Sequence, residues 1–315
     1  MTKSTRLCII FCAYFCAYPQ LQAQQTKEEP TFFTGLSPVI LERNAVEINI
    51  LNSLNSYWIE SKQFRPDNLT GFFVDRKRFT RAEHLLRISY GFSKNKNWDL
   101  GVELKYNHVR LDEGARSSPL RVFGNETVDG TSYRGLTAIG LRVRTMPFKN
   151  IPELTVQGTV HFPQNKRSST EIERVQLESQ STQAGLTATY YLQSGENIYY
   201  FFQADWATRF TNDENKRRKH LPALSSTVVI KAWEDQLFVF AGLNYGMSLQ
   251  EFSQGGLYRL SQALFGSGGL FFQPTPQFSI VASAQLPLMF ESNLRSVKLV
   301  RESFSGFSLG IRSLL

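Results

Sequence analysis

The chain has 315 residues, a formal net charge of +8 and three cysteines. The cysteines, Cys8, Cys12 and Cys16, all lie near the N-terminus, so cleavage of that segment would leave no disulfide framework and no thiolate metal site. Mean hydropathy is slightly negative. No apolar run reaches roughly eighteen residues, the length that marks a candidate transmembrane helix, which excludes a helical membrane protein.

The first 23 residues have the parts of an export signal. Lys3 and Arg6 precede an apolar run over residues 7–18, and the small residue Ala23 follows. About twelve apolar residues are too few to span a bilayer, which needs roughly twenty. We therefore expect a cleaved signal peptide over 1–23, a periplasmic lead-in over 24–43 and one β-barrel domain over 44–315.

Alternation of apolar and polar residues begins after the lead-in and predicts β-strands. Val46, Ile48 and Ile50 share one face of the first predicted strand. A second predicted strand over 86–92 is joined to a third over 98–106 by the compact turn signal at 94–97.

The same hairpin pattern repeats four more times before a last strand. The predicted strand pairs are 139–143 with 154–162, 184–192 with 198–206, 228–230 with 237–245 and 263–273 with 278–286, and the last strand covers 307–315. Longer gaps separate the hairpins, roughly at 62–83, 111–132, 163–179, 211–221, 247–262 and 289–301. Short turns that alternate with long loops are typical of outer-membrane barrels, whose short turns face the periplasm.

The fold prediction is therefore an all-β, transmembrane antiparallel β-barrel of about twelve strands, with short periplasmic turns and long extracellular loops. A soluble β-sandwich or barrel would also alternate, but its apolar face would point into a core. Two observations favour the membrane barrel. The predicted strands are longer than the five or six residues usual in soluble sheets. Their polar faces also carry charges in mid-strand, as at Glu103, Lys105, Arg142 and Arg144.

Residues 106–112 and 115–123 resemble a segment of porin-like outer-membrane barrels of Gram-negative bacteria, many of them uncharacterised or described only as transporters. The lead-in pair Ser37-Pro38 and the segment Glu47-Ile48-Asn49 are similar to the same proteins. This resemblance covers nearly the whole mature chain, and its motifs are architectural. It implies a fold and a location in the outer membrane, with no catalytic residue to carry over.

Alternation also predicts which charged residues face the lumen. Eight cations are predicted to point inward against four anions, which would favour anionic solutes in a low-dielectric channel. The pore-lining candidates are Arg87, Glu103, Lys105, Arg142, Arg144, Asp205 and Lys231, and the other predicted inward charges are Arg134, Arg209, Arg312, Glu47 and Asp99. The alternative is a lumen closed by cross-strand ion pairs, which would not conduct.

Two basic clusters fall in the predicted long loops, outside the cell. They are Arg76, Lys77 and Arg78, with Arg81 nearby, and Lys216, Arg217, Arg218 and Lys219. The simplest interpretation is that they pair with phosphates of outer-membrane lipid and lipopolysaccharide; the alternative is that they attract acidic ligands. Nucleic-acid binding is not indicated, because the positive charge is scattered and matches no known module. The barrel-assembly machinery is the expected protein partner.

The residues do not predict an enzyme, a metal site or a cofactor. His84 and His108 are predicted on the outward face near the outer rim, with no serine placed beside them and no third metal ligand on that face. The preferred hypothesis is passive diffusion of small hydrophilic, possibly anionic, solutes. The alternatives are a non-conducting surface or scaffold barrel that binds a partner through its loops and, more distantly, a lipid-modifying barrel enzyme.

Overall fold

The computed structural model describes residues 40–64, 72–93, 98–112, 118–124, 130–164, 181–210, 217–252, 256–292 and 297–315. The predicted signal peptide, most of the lead-in and Lys216 lie outside these ranges. Twelve strands make up almost all of the described chain: β1 Val46–Phe64, β2 Phe72–Gly91, β3 Trp98–Asp112, β4 Gly130–Thr145, β5 Leu154–Pro163, β6 Gln183–Ser194, β7 Ile198–Arg209, β8 Lys219–Trp233, β9 Leu237–Glu251, β10 Leu257–Thr275, β11 Phe278–Ser292 and β12 Val297–Leu314.

The strands form one closed, antiparallel barrel in which each strand pairs with its neighbours along the chain, and β12 pairs with β1. The first and last strands pair in a regular register that places Glu47 opposite Leu314 and Ile50 opposite Ile311. Val46 and Leu315 exchange both backbone hydrogen bonds at the seam, at 3.0 and 2.8 Å. A closed barrel leaves no sheet edge unpaired, which is the condition for burying strands in hydrocarbon. The predicted fold class is confirmed.

The strands reach further than the alternation predicted. The gap expected at 62–83 is mostly strand, because β1 continues to Phe64 and β2 begins at Phe72. The gap expected at 247–262 is likewise occupied by the ends of β9 and β10. Backbone pairing between two antiparallel strands does not require an apolar face, so hairpins can continue past the lipid-facing band. The basic residues Arg76, Lys77 and Arg78 therefore lie in strand β2, and their assignment to a loop was wrong.

A β-bulge in β4 changes which residues face outward. Lys105 pairs with Ala138 and Tyr106 pairs with Leu136, so Thr137 is an extra residue in β4. Because side chains alternate with a period of two, one extra residue reverses the faces of the residues on one side of it relative to those on the other. The prediction was set by residues 139–143, so the side chains that precede Thr137 face opposite to what alternation predicted. Arg134, predicted to point into the lumen, is consequently exposed and lies opposite the outward-facing His108.

Two shorter elements complete the described chain. A 3-10 helix, Pro119–Phe123, follows β3 and is capped by the Ser118 hydroxyl, which accepts from the Leu120 amide. Residues 40–45 turn into β1, with Asn44 in the left-handed region at φ 68°. Within the described ranges, no helix is long and apolar enough to cross a membrane.

Candidate functional site

The two faces of the barrel wall are sorted opposite to those of a soluble protein. On β3, Leu100 is 44% exposed whereas Asp99 next to it is 0% exposed. The same contrast separates the exposed Leu141 and Val143 from the buried Arg142 on β4. In a closed barrel the exposed side is the outside, so apolar side chains face outward and charged side chains face the lumen. The predicted orientation of the wall is confirmed on these strands.

Charged side chains on β12 and β1 to β5 form a connected network inside the lumen, near the short-turn ends of the strands. We call it the charge lattice; it consists of Glu47, Arg87, Asp99, Glu103, Arg142, Arg144, His161 and Arg312. Arg87 and Glu103 are direct cross-strand partners, and Arg87 Nε lies 2.7 Å from Glu103 Oε1. Glu103 also contacts His161 Nε2 at 2.7 Å.

The rest of the charge lattice links β3 with β4, and β1 with both β4 and β12. Arg144 contacts Asp99 at 2.7 Å, and Arg312 contacts Glu47 at 2.9 Å. Arg142 lies 3.8 Å from Glu47 and also donates to the Ser89 hydroxyl. All of these side chains are almost completely buried. Burial of a charge is tolerated only when the charge is paired, so the stability of the lattice depends on every charge in it keeping its partner.

A glycine makes room for this packing. A Cβ at Gly140 would lie 2.5 Å from Cδ2 of His161, so only glycine leaves space for the imidazole to reach Glu103.

The inner face of β7 to β11, at the same end of the barrel, is apolar. Tyr199, Phe201, Val229, Phe238, Phe271 and Val281 pack together there, with Tyr191 and Phe240 against them. We call this group the lumenal apolar cluster. Ile230, Val239 and Leu270, on the opposite face of the same strands, are exposed outward. Apolar side chains therefore lie on both faces of the wall on this side of the barrel.

The lumenal apolar cluster is closely packed. Phe271 is 0% exposed, and its ring centroid lies 5.7 Å from that of Phe238. Gly269 admits the ring of Phe240, since a Cβ there would lie 2.6 Å from Cζ. Together with the charge lattice, this cluster fills much of the lumen near the short turns.

Further from the short turns, the inner face of β6 to β12 carries neutral hydroxyl and amide side chains. We call this row the polar belt; it consists of Thr187, Gln203, Ser225, Asn244, Ser267, Ser283, Gln285 and Ser308, with Asp205 as its acidic member. Ser283 and Ser308 share a hydrogen bond of 2.6 Å, and Thr187 donates to Asp205 at 2.6 Å. Asn244 and Gln285 are exposed although they face inward, so solvent reaches the lumen at this level.

The start of the described chain enters the barrel at the short-turn end. Ile40 and Leu41 are both 3% exposed, and the Leu41 amide donates to Asp99 Oδ2 at 3.2 Å. The turn packs against Gly91, where a Cβ would lie 2.0 Å from the carbonyl oxygen of Glu42. Ile40 and Leu41 therefore belong to the packed short-turn half of the lumen, whereas Glu42 is exposed.

The structure distributes the predicted pore-lining residues over four environments. Arg87, Glu103, Arg142 and Arg144 belong to the charge lattice. Asp205 belongs to the polar belt, and Lys105 is half-buried on β3. Lys231 lies at the short-turn end of β8 and contacts Asp235 at 2.8 Å. Of the second basic cluster, Arg217 and Arg218 precede β8, and Lys219 is its first residue.

Sequence reasoning missed His161 as part of the charge lattice. Its parity on β5 indicated the inner face, but its contact with Glu103 spans β3, β4 and β5 and could not be read from one strand. The outward placement of His84 is confirmed, and it lies opposite Tyr106. Among the described residues, no group of three His, Cys, Asp or Glu side chains is arranged to hold a metal ion.

No protein-family model matches the chain, and no curated protein matches it in sequence. Solved structures match its fold. The COG4313 outer membrane channel from Pseudomonas putida F1 has a TM-score of 0.60 at 11% identity, covering 88% of this chain and 97% of that one. The beta domain of the Bordetella autotransporter BrkA has a TM-score of 0.47 at 12% identity, covering 84% and 99%.

The fold is that of a porin-like outer-membrane barrel. A closed antiparallel barrel with an apolar outer wall is the architecture that spans the outer membrane, so the protein lies in the outer membrane.

Proposed function

We propose that the protein is an outer-membrane channel for small, hydrophilic and mainly uncharged solutes. The observation that carries this proposal is the polar belt. Its hydroxyl and amide groups line the lumen, and Asn244 and Gln285 are in contact with solvent. Such groups can exchange hydrogen bonds with a passing polar solute without holding it by charge.

The preference for anions expected from the count of inward cations receives little support from the geometry. That preference requires cations available to a solute, whereas Arg87, Arg142, Arg144 and Arg312 each lie within ion-pair distance of Glu47, Asp99 or Glu103. Arg134 lies on the outer face. We therefore expect weak discrimination between anions and cations.

A second candidate is a barrel that does not conduct and acts as a surface scaffold. The observation that favours it is the burial of the short-turn half of the lumen, where Asp99 and Phe271 have no exposed surface. In the channel hypothesis, solutes pass when residues 40–42 move away from Asp99. In the scaffold hypothesis, this half stays closed.

Planar-bilayer conductance and swelling of proteoliposomes distinguish these two candidates. The channel predicts single-channel steps, swelling in small polyols, and a reversal potential close to zero in a salt gradient. It also predicts a higher open probability for Leu41→Gly, because that change removes a buried side chain from the packed half. Absence of steps and swelling in both wild type and Leu41→Gly would favour the scaffold. A reversal potential that strongly favours anions would restore the original expectation.

A further inference from the structure

Outside the lumen, the lipid-facing surface of β2, β3 and β4 changes from apolar to polar at one level, where two histidines and one arginine lie. On β3, the exposed Trp98, Leu100, Val102 and Tyr106 are followed on the same face by His108. On β4, the exposed Leu136 is followed by Arg134. On β2, Ile88 and Leu86 are followed by His84.

This level coincides with the expected edge of the membrane. Tyr106 lies eight residues beyond Trp98 on the same strand. At about 3.3 Å per residue and a tilt of roughly 40°, the two side chains are separated by about 20 Å along the membrane normal. The apolar band of such barrels is about 25 Å tall. His108, two residues further on, therefore lies at the boundary between hydrocarbon and headgroups, on the long-loop side.

The side chains at this boundary are close to one another. The rings of His84 and His108 are 5.4 Å apart in an edge-on arrangement. A hydrogen bond of 2.7 Å between Nδ1 of His84 and Oδ1 of Asn52 orients the first ring. The bulge at Thr137 places Arg134 opposite His108, and its side chain is exposed. The bulge thus brings a guanidinium group to the outer surface at this position.

The 3-10 helix Pro119–Phe123 is packed on the same surface. The Phe123 ring lies 6.2 Å from that of His84 and 5.6 Å from that of His108. The helix is also tied down by Arg110, which donates to the Arg121 carbonyl at 3.3 Å. Leu120 and Phe123 remain 65% and 48% exposed. The helix therefore presents apolar side chains beside the two histidines and Arg134. Arg121 of the same helix is 34% exposed at its side chain and lies 3.9 Å from Asp112 at the end of β3.

We propose that these residues bind the phosphate-bearing headgroup of a lipid in the surrounding leaflet. This boundary patch consists of His84, His108, Arg121, Arg134, Leu120 and Phe123. Arginine and histidine form strong charge-assisted hydrogen bonds to phosphate, and the exposed Leu120 and Phe123 suit the adjoining acyl chain. On the predicted topology, with short turns in the periplasm, the patch faces the outer leaflet. The proposal is independent of whether the lumen conducts.

Binding of a phosphorylated glycolipid to the full chain in detergent tests this proposal. Native mass spectrometry would compare diphosphorylated lipid A with the same lipid after removal of its phosphates. We expect wild type to bind the diphosphorylated form more tightly, and the His108→Gln/Arg134→Gln variant to lose at least about tenfold in affinity for it. The affinity for the dephosphorylated lipid should be the same in both proteins.

Lys149→Gln is the matched control, because Lys149 is an exposed cation in the short turn between β4 and β5, at the other end of the barrel. Heat-modifiable mobility on gels checks folding, and Arg134→Gln alone, at an exposed site, repeats the test if the double variant is unfolded. Equal affinity for both lipids, or an equal loss in Lys149→Gln, would overturn the proposal. Displacement of the lipid by equimolar inorganic phosphate would also overturn it, since the site would then be one for a soluble anion.

Discussion

The ion pair between Asp99 and Arg144 offers the sharpest test of whether the short-turn half of the lumen is filled. Two guanidinium nitrogens of Arg144 donate to Asp99 Oδ2, at 3.0 and 2.7 Å. Asp99 also accepts from the Leu41 amide. The perturbation is Arg144→Met, which keeps most of the side-chain volume and removes the charge.

The expected magnitude depends on how completely solvent is excluded. Removal of one partner of a buried ion pair costs about 3–5 kcal/mol, because the other charge stays buried and uncompensated. Removal of one partner of a pair in contact with water costs about 0–1 kcal/mol. Since Asp99 is 0% exposed and Arg144 is 4% exposed at its side chain, we expect a loss near the higher range. The double variant Asp99→Asn/Arg144→Met should recover much of that loss.

The assay is reversible unfolding by denaturant in lipid vesicles, followed by tryptophan fluorescence and by mobility on gels. Lys231→Met is the matched control, because its partner Asp235 is 84% exposed, and we expect it to cost less than about 1 kcal/mol. If Arg144→Met cost no more than Lys231→Met, solvent would screen the lattice pair. The short-turn half would then be open, and our account of a filled lumen would be wrong.

Two further substitutions test packing inside the wall, and each has a control of its own. Gly140→Ala should cost about 1–3 kcal/mol, because the new Cβ must displace His161, whereas Gly158→Ala has no neighbouring atom within 4 Å and should be almost neutral in the same unfolding assay. Phe271→Ala should cost about 3–5 kcal/mol and raise the conductance, because it opens a cavity in the lumenal apolar cluster. The lipid-facing Leu270→Ala should leave the conductance unchanged. An unchanged conductance in Phe271→Ala, together with full stability, would show that this cluster does not obstruct the lumen.

Much of the fold could be predicted from the sequence, because alternation is a local property. Leu100 and Val102 against Asp99 and Glu103 define the two faces of β3 without reference to any other strand. Once these faces are known, a barrel accommodates a long strand with charges at its centre most simply, because the apolar face lies against hydrocarbon and the charged face lines the lumen. The antiparallel order followed from the short turns, and the count of alternating segments, short turns and long gaps gave the approximate number of strands.

Local alternation could not predict which side chains face the lumen where the wall is irregular or where both faces of a strand are apolar. The bulge at Thr137 moved Arg134 from the lumen to the outer surface, and only the pairing of β3 with β4 reveals the extra residue. On β7 to β11, apolar residues on both faces left the inner side undecided until Phe238 and Phe271 were seen to pack against each other. The strands were also predicted to be too short, because backbone pairing continues into segments that have no apolar face to reveal a strand in the sequence.

The sequence by itself determined that the protein lies in a membrane, that its wall is a closed antiparallel barrel, and which side chains of each regular strand face lipid or lumen. It could do so because a period of two residues is a local property and needs no long-range information. Only the tertiary structure decided what the inward residues do. Arg144 contacts Asp99 because the register of β3 and β4 places the two residues opposite each other, and His161 on β5 contacts Glu103 on β3 across the intervening strand β4. Whether an inward charge lines a path or is held in an ion pair depends on its neighbours on other strands, and curvature, bulges and register set those neighbours.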